Sequence, residues 1–128
     1  MIVLLAMAAA AATPKCSDPQ TQLEMNLCAV EDAKKADADL NRQWAITAAK
    51  MRAQDKGGYA PKDGRPGYYN ALLEAQRAWI KFRDLECRVQ GYAMRGGSAE
   101  PMTVSGCLAT VTRARTVQLK QIAEGYRR

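Results

Sequence analysis

The feature that most limits the fold is a long stretch of chain, residues 20–56, that contains no glycine and no proline. Within it, apolar side chains recur at steps of three and four, which is the spacing of one helical face. Thr21 and Glu24 form a T-x-x-E capping box at the start of this pattern. The stretch therefore predicts one helix from Thr21 to Gln54, about 50 Å long at a rise of about 1.5 Å per residue.

Two further segments carry the same periodicity. We expect a second helix from Tyr68 to Gln90 and a third from Met102 to Glu124, where Gly125 fits a helix end. Residues 55–67, with four glycines and two prolines, and residues 91–101 are expected to be loops. Because no segment alternates like a strand, we predict an all-α fold, an open three-helix bundle in which the long first helix supports the other two.

The N-terminal segment Met1–Ala12 has no charged side chain, and a run of alanines follows its apolar core. The last three alanines give an A-x-A cleavage pattern, which is typical of a signal peptide. Twelve residues are too few to span a bilayer as a helix, and the residues before Cys16 do not fit a lipidation box. We expect a cleaved signal peptide over 1–12, a single domain over 13–128, and a periplasmic or secreted protein without stable membrane insertion.

Four cysteines follow that segment, and an even number in a small exported chain is typical of disulfide bonds. The chain has no histidine and no C-x-x-C pair, so we expect no metal and no cofactor. We predict the pairs Cys16–Cys28, which would tie the N-terminal segment to the first helix, and Cys87–Cys107, which would close the loop between the other two. Four cysteines allow three pairings, and the sequence alone does not choose between them.

The groups that most often carry catalysis are scarce. There is no histidine to act as a general base, and paired cysteines leave no thiolate nucleophile. None of the three serines lies in a nucleophile motif, and no glycine-rich phosphate cradle is present. We therefore expect a binding protein rather than an enzyme, with no nucleic-acid partner.

The net charge of +6 is unevenly distributed. In residues 13–54 six Lys and Arg balance six Asp and Glu, whereas in residues 55–128 thirteen face seven. A basic surface favours anionic partners such as envelope polymers, lipid headgroups or acidic proteins. The alternative is that the charge serves solubility alone.

Polar side chains interrupt the apolar faces of the second and third helices. Because an unpaired buried donor is costly, we expect Arg83 and Arg115 to pair with acids such as Asp39, or with the backbone of the first helix. We interpret this set as a structural motif consisting of Gln76, Trp79, Arg83, Asp84, Thr112 and Arg115. The apolar residues that we expect to be buried beside it are Leu27, Leu40, Trp44, Trp79, Ile80, Leu108 and Val111.

Several segments, taken in order, resemble a known family. The most specific is the Q-R-x-W-x-x-x-R-D-x-x-C run from Gln76 to Cys87. The others are residues 21–29, Ala36-Asp37, Leu40-Asn41, Gly96-Gly97-Ser98, Cys107-Leu108, and Thr112 with Arg115. Over about residues 16–119 the chain resembles the LprI-type lysozyme inhibitor family of exported bacterial proteins. The resemblance implies an exported helical protein that inhibits lysozyme, the hydrolase that cleaves peptidoglycan, with a lysozyme as its partner.

Three roles stay open at this point. The first is lysozyme inhibition, for which a local acidic patch of Asp32, Asp37 and Asp39 on the first helix would suit a cationic lysozyme. The second is an envelope protein that engages an anionic polymer or a protein partner through the basic C-terminal half. The third is a purely structural or accessory role.

If the protein is an inhibitor, a loop is the expected contact surface, because loops reach into clefts and rigid scaffolds limit the entropy lost on binding. Residues 55–67 form the longer loop, and no disulfide is expected to hold it. Residues 91–101 are held by helices on both sides and by the predicted Cys87–Cys107 bond. We expect this second loop to bind the partner, unless it is only the turn that starts the third helix. Its candidate contact residues are Tyr92, Arg95, Ser98 and Glu100.

Overall fold

The computed structural model describes residues 15–125, which form three long helices and no strand. Helix α1 spans Gln22–Gln54, α2 spans Tyr68–Gly91 and α3 spans Glu100–Glu124. The predicted all-α fold with a long first helix is confirmed. Within the described residues, no helix is both long enough and apolar enough to cross a membrane. The expected signal peptide, Met1–Ala12, lies outside the described residues.

The helices run up, down and up, so that α1 and α3 are parallel. Asp32 of α1 pairs with Arg113 of α3, and further along both helices Lys50 Nζ donates to the carbonyl oxygen of Ala123 at 2.9 Å. α3 contacts α1 extensively and also contacts α2, whereas α1 and α2 contact one another much less. α3, rather than α1, is therefore the helix that holds the other two together, which corrects our expectation for the first helix.

The start of α1 follows the capping box that the sequence predicts. Thr21 is extended, and its Oγ1 accepts a hydrogen bond from the Glu24 amide at 3.1 Å. The Glu24 carboxylate accepts in return from the amides of Thr21 and Gln20. These bonds satisfy amides that have no partner within the helix, and they place a negative charge at its positive end.

The connection from α1 to α2 is more ordered than its composition indicates. α1 continues into a π-helical turn, Asp55–Tyr59, which ends where Gly58 adopts a φ of +81°. The Asp55 carboxylate accepts from the amides of Tyr68 and Tyr69 at 2.8 and 3.1 Å, and so caps the start of α2. Our prediction of a loop from residue 55 was therefore wrong over its first five residues.

The core is narrower than the predicted apolar stripe. Leu40 is buried as expected, and it joins Met51, Leu72 and Leu119 in the central cluster. Leu27 is 45% exposed and Ile80 is 41% exposed, so the prediction that both are buried was wrong. The other four predicted core residues, which are half-buried, are Trp44, Trp79, Leu108 and Val111. For Trp44 and Ile80, which line the cavity between α1 and α2, the reason is the limited contact between these two helices.

Small side chains allow α1 and α3 to pack closely. Ala36 and Ala48 of α1 and Ala109 of α3 are all buried. Thr47 is completely buried, and its hydroxyl donates to the carbonyl oxygen of Leu119 at 2.9 Å. This hydrogen bond satisfies a hydroxyl that would otherwise be costly to bury.

Candidate partner-binding site

Two disulfide bonds hold the ends of the helices, and both predicted pairings are confirmed. Cys16 is bonded to Cys28, and Cys87 is bonded to Cys107. In the second bond, the Cα atoms of Cys87 in α2 and Cys107 in α3 are 5.4 Å apart, close to the turn that joins these helices. Gly91 lies at the same narrow point, where an added Cβ would come within 2.5 Å of the Val104 side chain. The two disulfides fit an extracytoplasmic location.

The turn between α2 and α3 is held at several points besides the disulfide. It consists of a short 3₁₀ helix, Tyr92–Met94, followed by residues 95–99, in which Gly96 adopts a φ of +77°. Asn26 of α1 donates from Nδ2 to the carbonyl oxygen of Ser98 at 3.0 Å. The Glu100 carboxylate accepts from the Gly96 amide at 2.7 Å, which closes the turn from within. The turn is thus braced against all three helices.

The four candidate contact residues of this turn do not have the same environment. Tyr92, Arg95 and Ser98 are exposed, and the Arg95 guanidinium lies 4.7 Å from the centre of the Tyr92 ring. Glu100 is half-buried, and its carboxylate is occupied in the turn itself. The sequence did not single out Met94, which precedes Arg95 and is 48% exposed. The exposed surface of the turn is therefore aromatic, apolar and cationic rather than acidic.

The structure brings together four residues of the predicted structural motif, namely Gln76, Trp79, Arg83 and Arg115. Gln76 is buried, and its Oε1 accepts from Arg115 Nε at 2.9 Å. Two guanidinium groups lie near the half-buried Trp79 ring, with the central carbon of Arg83 at 5.2 Å and that of Arg115 at 6.0 Å from the ring centre. Thr112 is buried, and its carbonyl oxygen accepts from the hydroxyl of Thr116.

The arginine partners differ in part from those we predicted. Arg83 pairs with Asp37 of α1 at 3.6 Å and with the adjacent Asp84 at 3.0 Å, rather than with Asp39. Asp39 pairs instead with Arg42, one turn further along the same helix. Arg115 donates to the amide oxygen of Gln76, because α3 faces α2 at this level, and also to that of Gln118.

The acidic patch expected on α1 is neutralised by these and similar ion pairs. Asp32 accepts two hydrogen bonds from Arg113, at 2.9 and 2.5 Å, and these bonds lower the pKa of its carboxyl group. Asp37 and Asp39 are each paired with an arginine. The three carboxylates therefore do not present a free acidic surface to a cationic partner.

One cavity, of about 350 Å³, lies mainly between α1 and α3, and a second, of about 460 Å³, occupies the groove between α1 and α2, where these helices contact each other little. The Asp37–Arg83 ion pair lines both cavities. Val30 and Leu108 line the first cavity, and Trp44 and Ile80 line the second.

All four cysteines are in disulfides, and residues 15–125 contain no group of three or more side chains that could hold a metal ion.

Comparison with known proteins agrees with this architecture. The family described as lysozyme inhibitor LprI matches residues 12–119. A protein of Rhizobium meliloti (strain 1021), described as uncharacterized, is 45% identical over 111 residues, which cover 87% of this chain and 80% of that protein. No solved structure matches the chain. The chain belongs to the LprI lysozyme inhibitor family.

Proposed function

We propose that this protein is a periplasmic or secreted inhibitor that binds a lysozyme through protein–protein contacts and has no catalytic role of its own. Membership of the LprI family supports this proposal. The two disulfides support a location outside the cytoplasm, where peptidoglycan and the enzymes that cleave it are found. The signal peptide predicted over Met1–Ala12 would supply the route of export.

The observation that carries the proposal furthest is the bracing of the α2–α3 turn. A disulfide, a hydrogen bond from Asn26 and the carboxylate of Glu100 hold its backbone, while Tyr92 and Arg95 stay exposed. A loop that is already ordered loses little conformational entropy when it binds, so more of its contact energy appears as affinity. Tyrosine and arginine are also residue types that often contribute most to the energy of an interface.

The proposed contact is a turn that enters the substrate cleft of the enzyme. Tyr92 would pack against the apolar wall of the cleft, and Arg95 would pair with acidic groups there. Ser98 lies beside them and offers a hydroxyl group. Glu100 contributes by holding the turn, so we assign it no direct contact with a cationic lysozyme surface.

Titration of the purified protein against lysozymes from several sources tests this function. The rate at which each lysozyme clears a cell-wall suspension is measured with increasing inhibitor. We expect at least one lysozyme to lose activity in proportion to the inhibitor added, and to form a complex with it on gel filtration. If every lysozyme keeps its full rate at inhibitor concentrations well above its own, the proposed function is wrong.

A further inference from the structure

The outward face of α2 carries an apolar strip that no helix covers. At about 100° per residue, side chains at steps of three and four share one face of a helix. The strip follows these steps and consists of Ala71, Ala75, Ala78, Phe82, Leu85 and Val89. Its three large members, Phe82, Leu85 and Val89, are 57%, 44% and 62% exposed. They make this helix apolar on the side where a surface helix is usually polar.

This strip lies on the opposite side of α2 from the residues that pack into the bundle. Leu72, Gln76 and Cys87 are the buried residues of α2 that face α1 and α3. At about 100° per residue, the midpoint of the strip lies roughly 100° to 160° around the helix from them. The strip therefore lies outside the packing between the three helices, although Ala71 and Ala75 line a cavity beside Pro61 and Pro66 of the α1–α2 connection. A contiguous exposed apolar surface of this kind favours an interaction site.

A column of cations follows one edge of the strip. Arg77, Lys81 and Arg88 lie at steps of four and seven, all three are exposed, and none forms an ion pair with another residue in the range 15–125. Two acids lie on the same flank as the cations. Asp84 pairs with Arg83, and Glu74 lies one turn before Arg77, near the start of α2, so this flank keeps a net positive charge. Glu86 lies on the other flank and accepts from Gln90.

We propose that this face of α2, the apolar strip with its column of cations, adsorbs the protein onto the surface of a bilayer that contains anionic lipids. Such a surface offers acyl chains to the strip and negative headgroups to the cations at once, in one plane. The strip extends over 18 residue steps of a continuous helix, or about 27 Å at about 1.5 Å per residue, so its residues can reach a plane together.

Charge and hydrophobicity together favour a bilayer as the partner of this face over an anionic polymer or a second copy of the chain. A hydrated anionic polymer would satisfy Arg77, Lys81 and Arg88 but would leave Phe82 and Val89 in water. A second copy of the chain would cover the apolar strip but would bring three more cations to the same interface, at a repulsive cost. The bilayer proposal is independent of lysozyme inhibition, since it uses a different surface from the tip of the α2–α3 turn.

Sedimentation with lipid vesicles tests the proposal. The purified protein is mixed with vesicles of phosphatidylcholine alone or of phosphatidylcholine with phosphatidylglycerol, at low and high salt. We expect binding to the anionic vesicles only, and weaker binding at high salt. The triple variant Arg77→Gln/Lys81→Gln/Arg88→Gln should bind them about a hundredfold more weakly, since each cation near an anionic surface contributes about a fivefold factor.

A pair of matched variants tests the apolar strip. Phe82→Ala/Val89→Ala should also lose vesicle binding, whereas Ile46→Ala/Val117→Ala, which removes side chains of similar exposure from α1 and α3, should keep it. Circular dichroism confirms that both variants stay helical. The proposal is overturned if the wild-type protein does not bind anionic vesicles, or if both variants lose vesicle binding to the same extent. It is also overturned if light scattering shows that the strip instead joins two copies of the chain.

Discussion

Gln76 Oε1 accepts a hydrogen bond from Arg115 Nε at 2.9 Å, and this contact joins α2 to α3 beside the Trp79 ring. Gln76 is buried, and Arg115 is half-buried, so neither group can exchange this bond freely for water. A buried polar contact of this kind stabilises the fold chiefly because breaking it leaves a polar group poorly solvated.

Replacement of Gln76 by leucine removes the acceptor while keeping a side chain of similar size. We expect Gln76→Leu to lower the free energy of unfolding by about 1–3 kcal/mol, because a guanidinium N–H then lacks a partner away from water. Gln118→Leu is the matched control, since Gln118 also accepts from Arg115, at 3.2 Å, but is exposed. Urea unfolding measures the free energy of unfolding of both variants. Equal losses in the two variants would show that burial of Gln76 does not matter.

The two disulfides should differ in their effect on binding. Removal of either should cost about 3 kcal/mol in the chain-entropy model, as the bonded cysteines are 12 and 20 residues apart. Only Cys87→Ala/Cys107→Ala releases the α2–α3 turn, so only this variant should lose lysozyme inhibition at temperatures where both variants stay folded. Thermal unfolding and inhibition are measured side by side. Loss of inhibition in Cys16→Ala/Cys28→Ala alone would place the contact surface at the start of α1 instead.

Substitutions in the core distinguish the packing seen in the structure from the core that the apolar pattern of the sequence predicts. Leu119 is completely buried in the central cluster, so Leu119→Ala should cost about 3 kcal/mol or more. Ile80 is 41% exposed beside the groove between α1 and α2, so Ile80→Ala should cost about 1 kcal/mol or less. Chemical denaturation of each variant gives both values. A larger loss for Ile80 than for Leu119 would contradict the packing described.

Features that depend on local sequence were predicted correctly. The Thr21–Glu24 capping box and the unbroken stretch behind it predicted α1 to within one residue at its start, because both are local features. The structure has the two disulfide pairs that we predicted, although the sequence alone did not choose between the three possible pairings. The α2–α3 turn was placed correctly, although α3 begins at Glu100 rather than Met102.

Other features depend on how the helices meet, and periodicity alone does not contain this information. Ala36, Ala48 and Thr47 are buried because α1 and α3 approach closely, whereas an apolar stripe draws attention to large side chains. Leu27 and Ile80 follow the stripe but face open regions. Helical spacing likewise does not reveal that Glu100 turns inward to the Gly96 amide.

The ion pair between Asp32 and Arg113 predicts a pH dependence of stability. The hydrogen bonds from Arg113 lower the pKa of Asp32 below its ordinary value of 3.8, so the folded state favours the ionised carboxylate. The resulting stabilisation is fully present above this ordinary, unfolded pKa and is lost as the pH falls through the lower folded pKa. Asp32→Asn should therefore be less stable than the wild-type protein at pH 7, with the gap closing below about pH 4. A gap that persists undiminished in strong acid would exclude this explanation.

The exposed pair at the α2–α3 turn allows the most direct test of the proposed inhibitory surface. Tyr92→Ala/Arg95→Ala removes both exposed side chains but keeps Glu100 and the disulfide that hold the turn. The matched control is Tyr59→Ala/Lys62→Ala, an exposed aromatic and cation with the same spacing in the connection between α1 and α2. The inhibition constant against a lysozyme that the wild-type protein inhibits is measured for both variants. We predict a rise of at least about tenfold for Tyr92→Ala/Arg95→Ala, as expected for residues at the centre of an interface, and no change for the control. An unchanged inhibition constant in the Tyr92→Ala/Arg95→Ala variant would contradict the assignment of this turn as the inhibitory surface.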